Sequence, residues 1–207
     1  MEPLATVASL EARLGRSLTS DEAARAVALV DDASALVRAW TRQQFSVVTD
    51  DAIVLHPVGT VVRLPQRPVT AVASVHAVGR DGEPDIALSG WMWDGRDKVD
   101  LMCATPAGDD TPTWWRAHGP DTYQVTYSHG TATPPADVVA VVCRMVTRTL
   151  TAPTAAGGVT SETMGPYSYR TDGSGSGIGV TMTGDDRALL TAGGHRRTAG
   201  TTQVRAL

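Results

Sequence analysis

Thr133-Pro134-Pro135-Ala136-Asp137-Val138-Val139-Ala140-Val141-Val142-Cys143-Arg144-Met145-Val146-Thr147-Arg148-Thr149-Leu150 is the stretch on which the fold turns. By propensity its valines suit a strand as well as a helix, because β-branched side chains are stiff about their first torsion and pack well on a pleated surface. Length decides between the two: most strands stop within about ten residues. The prolines also sit where the first helical turn tolerates a missing amide, and Asp137 lies near the positive end of the dipole. A helix running to about Leu150 has apolar residues round most of its circumference, with Arg144 and Arg148 on one narrow polar strip. Such a helix needs cover on most sides, so it is expected at the centre of a bundle.

Its partners come from the N-terminus. Residues 7–14 read as a short helix closed by Gly15, a residue suited to the left-handed turn after a helix. Thr19 and Glu22 have the spacing of a capping box, which opens a second helix of about six turns. Along it Ala26, Leu29, Val30, Ala33, Val37 and Trp40 recur at three- and four-residue steps, while Arg25, Asp32, Arg38 and Arg42 avoid that stripe.

After Phe45 the period changes from helical to alternating. Residues 53–56, 60–64, 69–78, 86–88, 91–93, 99–102 and 123–127 are the expected strands, parted by turn signals such as Pro57-Val58-Gly59, Asp81-Gly82 and Asp94-Gly95. Residues 104–112, rich in Pro, Gly and Asp, read as an exposed loop. The fold class that follows is α+β: a small helical bundle with an inserted antiparallel β region and an extended C-terminal arm. Four segments are expected, namely helices over 1–45, the β insertion over 46–128, the central helix over 129–150 and an arm over 151–207.

That arm holds 11 of the 20 glycines and only 11 large apolar side chains, too few to offset the entropy of ordering it alone. Yet Val159-Thr160-Ser161-Glu162-Thr163-Met164-Gly165-Pro166-Tyr167-Ser168-Tyr169-Arg170 is β-branched and aromatic about one Gly-Pro break, as a segment seeking a partner strand would be. Residues 184–190 read as a short helix capped by Thr183, with Asp186 three positions on. The last residues carry Arg196, Arg197 and Arg205 without an acid. The arm is therefore expected to be ordered by something other than its own chain, and Val159, Ser161, Glu162, Met164, Tyr167, Tyr169, Leu189, Leu190, Arg196, Arg197 and Arg205 are its candidate interface residues.

Charge and chemistry narrow the function. The net charge is −4, of which residues 1–150 contribute −5 (13 Lys and Arg against 18 Asp and Glu) and the arm +1, so the body does not attract nucleic acid. Cys103 and Cys143 form no metal or redox motif. The N-terminus has no secretory pattern, and the longest apolar run, 138–143, is far shorter than the roughly 20 residues of a membrane span; a soluble intracellular protein is expected. His56, His76, His118, His129 and His195 fall in no HxH, HExxH or HxxxH arrangement with an acid nearby. Asp31-Asp32, Asp50-Asp51, Asp109-Asp110 and Asp185-Asp186 each have an ordinary place at a helix surface, turn, loop or helix start. Gly173-Ser174-Gly175-Ser176-Gly177 has neither the leading strand nor the lysine of a phosphate loop and reads as a spacer. No catalytic, cofactor or metal residue is expected.

Three stretches carry a resemblance: Leu10-Glu11-Ala12-Arg13-Leu14-Gly15-Arg16-Ser17-Leu18-Thr19 with the Ala-rich helix after it; Leu64-Pro65-Gln66-Arg67-Pro68-Val69 with Val72 and Ser74-Val75; and Tyr127-Ser128-His129-Gly130 with Pro134-Pro135 and the following helix. With the segment from Val159 to Tyr169 as a fourth, their order resembles the head-to-tail connector (adaptor) proteins of long-tailed bacteriophages, in the style of phages of actinobacteria. The similarity covers most of residues 4–190. It implies a homo-oligomeric ring under the portal protein that extends the DNA channel, presents a docking surface to the next neck or tail-terminator protein and lets double-stranded DNA pass without sequence-specific contact. It further implies a virion location at the head-tail interface after assembly in the host cytoplasm, and neither catalysis nor cofactor. The glycine spacer and the basic end are longer than that resemblance leads one to expect. The alternatives are a small metal-dependent hydrolase using His118, His129 and nearby acids, or a different neck or tail-completion protein.

Overall fold

The computed structural model describes residues 2–79, 82–108, 115, 120–151, 161–164, 167–170, 179–196 and 203–204. Expectations resting on Val159, Arg197, Arg205, His118, Asp109-Asp110 and the spacer 173–177 lie outside the described residues. The fold is α+β, and the chain divides into a helical unit, Met1–Thr41 with Pro134–Arg196, and a β unit, Arg42–Thr133 with Arg197–Leu207. The expected arm is thus shared: through Arg196 it belongs with the helices, and its last residues belong with the sheets.

In the helical unit, α1 (Val7–Leu14) starts at Thr6, whose side chain accepts from the Ser9 amide, and stops at Gly15 with φ +68°, the left-handed close expected from sequence. Helix α2 (Ser20–Thr41) opens with the expected reciprocal cap: Thr19 N–H donates to Glu22 Oε2 at 3.0 Å and Glu22 N–H to Thr19 Oγ1 at 3.3 Å. A two-pronged bond from Arg16, together with the Thr19 amide, holds the Glu22 carboxyl down to about 2. Ala26, Leu29, Val30, Ala33 and Val37 are buried as their spacing requires.

Arg38, expected outside the stripe, is buried too. The N-terminal residues cover that flank: the Leu4 amide donates to Ser34 Oγ at 3.0 Å, and the Arg38 guanidinium donates to the Glu2 carbonyl. Hydrogen bonding to a carbonyl lets a charged head sit where the periodicity left no apolar place for it. Helix α3 (Ala136–Thr151) is central, burying Val138, Val141, Val142, Cys143, Met145 and Val146 and packing on α1, on α2 and on α4 (Gly184–Ala192).

The β unit holds a six-stranded antiparallel sheet in the order β11-β1-β8-β3-β4-β7 and a three-stranded one in the order β2-β6-β5. The strands are β1 (Val48–Leu55), β2 (Val61–Arg63), β3 (Val69–Ala77), β4 (Ile86–Ser89), β5 (Met92–Trp93), β6 (Lys98–Asp100), β7 (Thr105–Pro106), β8 (Tyr123–His129) and β11 (Gln203–Val204). The intervening β9 (Ser161–Met164) and β10 (Tyr167–Arg170) lie in the helical unit. Val62, Leu64, Val99 and Leu101 from the small sheet and its flanks share one core with Leu55, Val75, Val125 and Tyr127 from the large one.

Strand β1 begins five residues earlier than alternation indicated. An extra residue between Val48 and Asp51, with Asp50 at φ +52°, forms a bulge that breaks the period of two. Strand β7 lies inside the expected loop, pairing Leu88 with Pro106 on the outer side of β4; an edge is where a sheet accommodates proline.

Candidate assembly surface

The centre of the C-terminal quarter is a buried carboxylate. Asp186, 0 % exposed, sits in the first turn of α4 and receives Arg144 Nε at 2.9 Å and Nη2 at 2.7 Å on one oxygen, and the Arg148 guanidinium across both. It also closes the α4 cap, accepting the Thr183 amide at 2.9 Å and hydroxyl at 2.8 Å. Burial alone would raise its pKa. The bonds from Arg148, from the Thr183 amide and hydroxyl and from Arg144 outweigh that and hold it at about 2. The polar strip of α3 seen in the sequence is therefore the seat of α4. Leu190, 1 % exposed, adds the apolar contact, and so is taken up by its own chain rather than offered to a neighbour, correcting its place among the interface candidates. Leu189 beside it is 47 % exposed and remains available.

Just before α4 the Thr181 carbonyl accepts Arg148 Nη2 from the last turns of α3 at 3.1 Å, within a few residues of the Asp186 latch. Between α3 and α4 in sequence lie β9 and β10, paired antiparallel with Met164 opposite Tyr167 and Ser161 opposite Arg170. Ser161, Glu162, Met164, Tyr167 and Tyr169 thus belong to one hairpin, where the sequence suggested a single extended segment; the two halves on either side of the Gly-Pro break pair with each other. Its sheet has two strands, and among the described residues neither outer edge has a strand partner. A two-stranded ribbon is marginal in water by itself.

Beyond α4 the chain stays fixed for four more residues. His195 Nε2 lies 2.6 Å from Asp137 Oδ2 at the start of α3, and the Arg196 guanidinium stacks 4.6 Å from the centre of the Trp40 ring on α2. Arg196, expected to reach a partner, is engaged on its own bundle. Nothing in the sequence spacing signals either contact.

Two stretches that carry the resemblance come together in the β unit. Gln43 donates to the Pro65 carbonyl at 2.8 Å and accepts the Arg67 amide at 2.9 Å, while Gln66 accepts the Gln44 amide at 2.9 Å and donates to the Arg42 carbonyl at 3.1 Å. From Tyr127-Ser128-His129-Gly130, Gly130 N–H donates to the Pro68 carbonyl at 2.9 Å. Gly130 has φ +90°, and a Cβ there would stand 1.9 Å from the Ser46 carbonyl oxygen, so the position needs glycine. These bonds tie residues 42–44 and Gly130 to the 65–68 segment within the β unit.

His129, the histidine of the hydrolase alternative, is 2 % exposed; its Nε2 lies 3.1 Å from Asp51 Oδ2 and its ring tilts against Tyr127 at 5.1 Å between centroids. Burial, helped by the Asp51 charge and opposed by the Gln66 backbone, pushes the Tyr127 hydroxyl well above its ordinary value. This is a packed polar end to β8 rather than an open dyad. Among the described residues no three His, Cys, Asp or Glu side chains stand where they could hold a metal ion, and no helix is long and apolar enough to cross a membrane. No protein-family model matches the chain, and no curated protein matches it in sequence.

Proposed function

We propose that the chain is a structural neck protein of a long-tailed bacteriophage, forming a homo-oligomeric ring between the portal protein and the tail or the next neck protein. The observation that carries this reading is a two-stranded hairpin whose outer edges have no strand partner among the described residues, set in the sequence between two helices fastened together by Arg144, Arg148 and Asp186. A closed ring uses heterologous interfaces, so a hairpin that lacks strands in its own chain acquires them next door. In the ring, Ser161, Glu162, Met164, Tyr167, Tyr169 and Leu189 face a neighbouring subunit or the portal. The net charge of −5 over residues 1–150 favours a channel wall along which DNA slides. The order of the four resembling stretches supports the same role, which is non-catalytic and set in the virion.

Negative-stain electron microscopy of the purified protein, alone and mixed with portal, tests this against a variant whose residues 161–170 are replaced by a Gly-Ser linker. Rings from the native chain, lost in the variant while helical circular dichroism is kept, are the expected result. A native chain that stays monomeric, does not bind portal and is absent from particles contradicts the proposal. Metal-dependent hydrolysis abolished by His129→Ala would replace it with the enzymatic alternative.

A further inference from the structure

Strand β1 is an edge that needs covering. Its inner side pairs with β8 from Val48↔His129 to Leu55↔Tyr123, and Ile53 and Leu55 are core residues, so its outer hydrogen-bonding groups stand directly beside the core. An open edge of that kind templates uncontrolled pairing, and proteins blunt it with bulges, charges or a covering strand. All three devices are present. At one end the bulge, the left-handed Asp50 and the Asp50-Asp51 charges break the ladder. At the other, the C-terminal strand β11 pairs antiparallel, Val54↔Val204 and Leu55↔Gln203.

The strand that covers this edge is β11, in the same unit as β1. In sequence six residues separate it from Arg196, which with His195 is fixed on the helical unit by Trp40 and Asp137. Every copy therefore carries one acceptor edge and one donor strand, both within the β unit. That is the arrangement a head-to-tail exchange requires, since the strand lost to one neighbour is replaced by the strand of the other. The ladder, two residue pairs among the described residues, is also short enough to open without disturbing the core on the far side of β1.

We propose that the outer edge of β1 is a strand-acceptor site whose occupant in the assembled ring is the C-terminal strand of a second copy of this chain, the same strand covering it in cis in the free subunit. The inference rests on the ring reading above and adds to it the identity of one contact between copies. The exchanged strand leaves the subunit count free, because each copy gives one strand and accepts one.

Single cysteines at the paired positions test it in the full chain. Cys103 is exposed and is first changed to Ser, while Cys143 is buried and stays. Val54→Cys copies are mixed with Val204→Cys copies, assembled with portal, oxidised and run on a non-reducing denaturing gel. Directly opposed residues of an antiparallel pair lie within reach of a disulfide. A disulfide joining one copy of each kind can form only in trans, so the expected result is a covalent dimer in ring fractions, absent from unassembled fractions and from either variant alone. The double variant Val54→Cys with Val204→Cys is expected to close internally when free and to give a chain-to-chain ladder in rings. Rings that form normally while the mixture gives no dimer and the double variant closes only internally overturn the exchange and leave the ring standing. A mixture, and a native chain, that never form rings overturn both.

Discussion

Helix α4 and the β9–β10 hairpin come from the same glycine-rich quarter, yet they are held in opposite ways. Helix α4 is satisfied within its own chain: its first turn is capped by Thr183 and Asp186, its buried carboxylate meets Arg144 and Arg148, and Leu190 fills the contact with α3. The hairpin has only its internal ladder and two unpartnered edges among the described residues. The difference teaches that apolar content does not measure how well a segment is anchored. One fully bonded buried charge fastens nine residues of helix, while among the described residues the β-prone segment has only its own ladder.

The largest effect expected from breaking this contrast is at the latch. Asp186→Ala removes the acceptor shared by two guanidiniums and the Thr183 amide; because both arginines are partly exposed and can turn to water, the cost is about 3 kcal/mol rather than that of a fully buried broken pair. Hydrogen exchange of the α4 amides should accelerate accordingly, with the β unit unchanged. Leu190→Ala is expected to cost about 2 to 3 kcal/mol through the cavity it leaves, read as a lowered denaturant midpoint of the helical unit.

Acid sharpens the same point. A carboxyl held at about 2 against an ordinary 3.8 takes up its proton later in the folded chain than in the unfolded one. The stability it contributes, on the order of 2 kcal/mol, is therefore complete above about pH 4 and fades as pH falls toward 2. Protection of α4 should be flat between about pH 5 and 8, and an α4 that loosens within that range contradicts the latch. The smallest effect is at Arg196→Ala, where losing the guanidinium over Trp40 is worth about 0.5 to 1 kcal/mol in unfolding of the helical unit.

Much of this architecture was legible in the sequence. The 3.6-residue stripe of α2, the capping box at Thr19 and Glu22, the proline entry to α3 and the cap at Thr183 are local signals, and each placed its element. The strands of the β unit were legible wherever alternation was unbroken. They were lost where a bulge at Asp50 reset the period or where β7 was too short to show one. The Asp186 latch was half visible: a polar strip on α3 and an acid at a helix start could be read from the residues, but only their meeting in space turns two ordinary features into an anchor. Contacts such as His195 with Asp137 join residues far apart in the chain and have no periodic signature. That is also why the C-terminal quarter reads as wholly dependent on neighbours when α4 is not.

Hydrogen exchange followed by mass spectrometry on the free subunit and on portal-bound rings tests the central contrast most directly. Residues 184–192 should be protected in both states, whereas 161–170 should exchange freely in the subunit and become protected on assembly. Equal and high protection of 161–170 in the free subunit, or exposure of 184–192 there, would contradict the account.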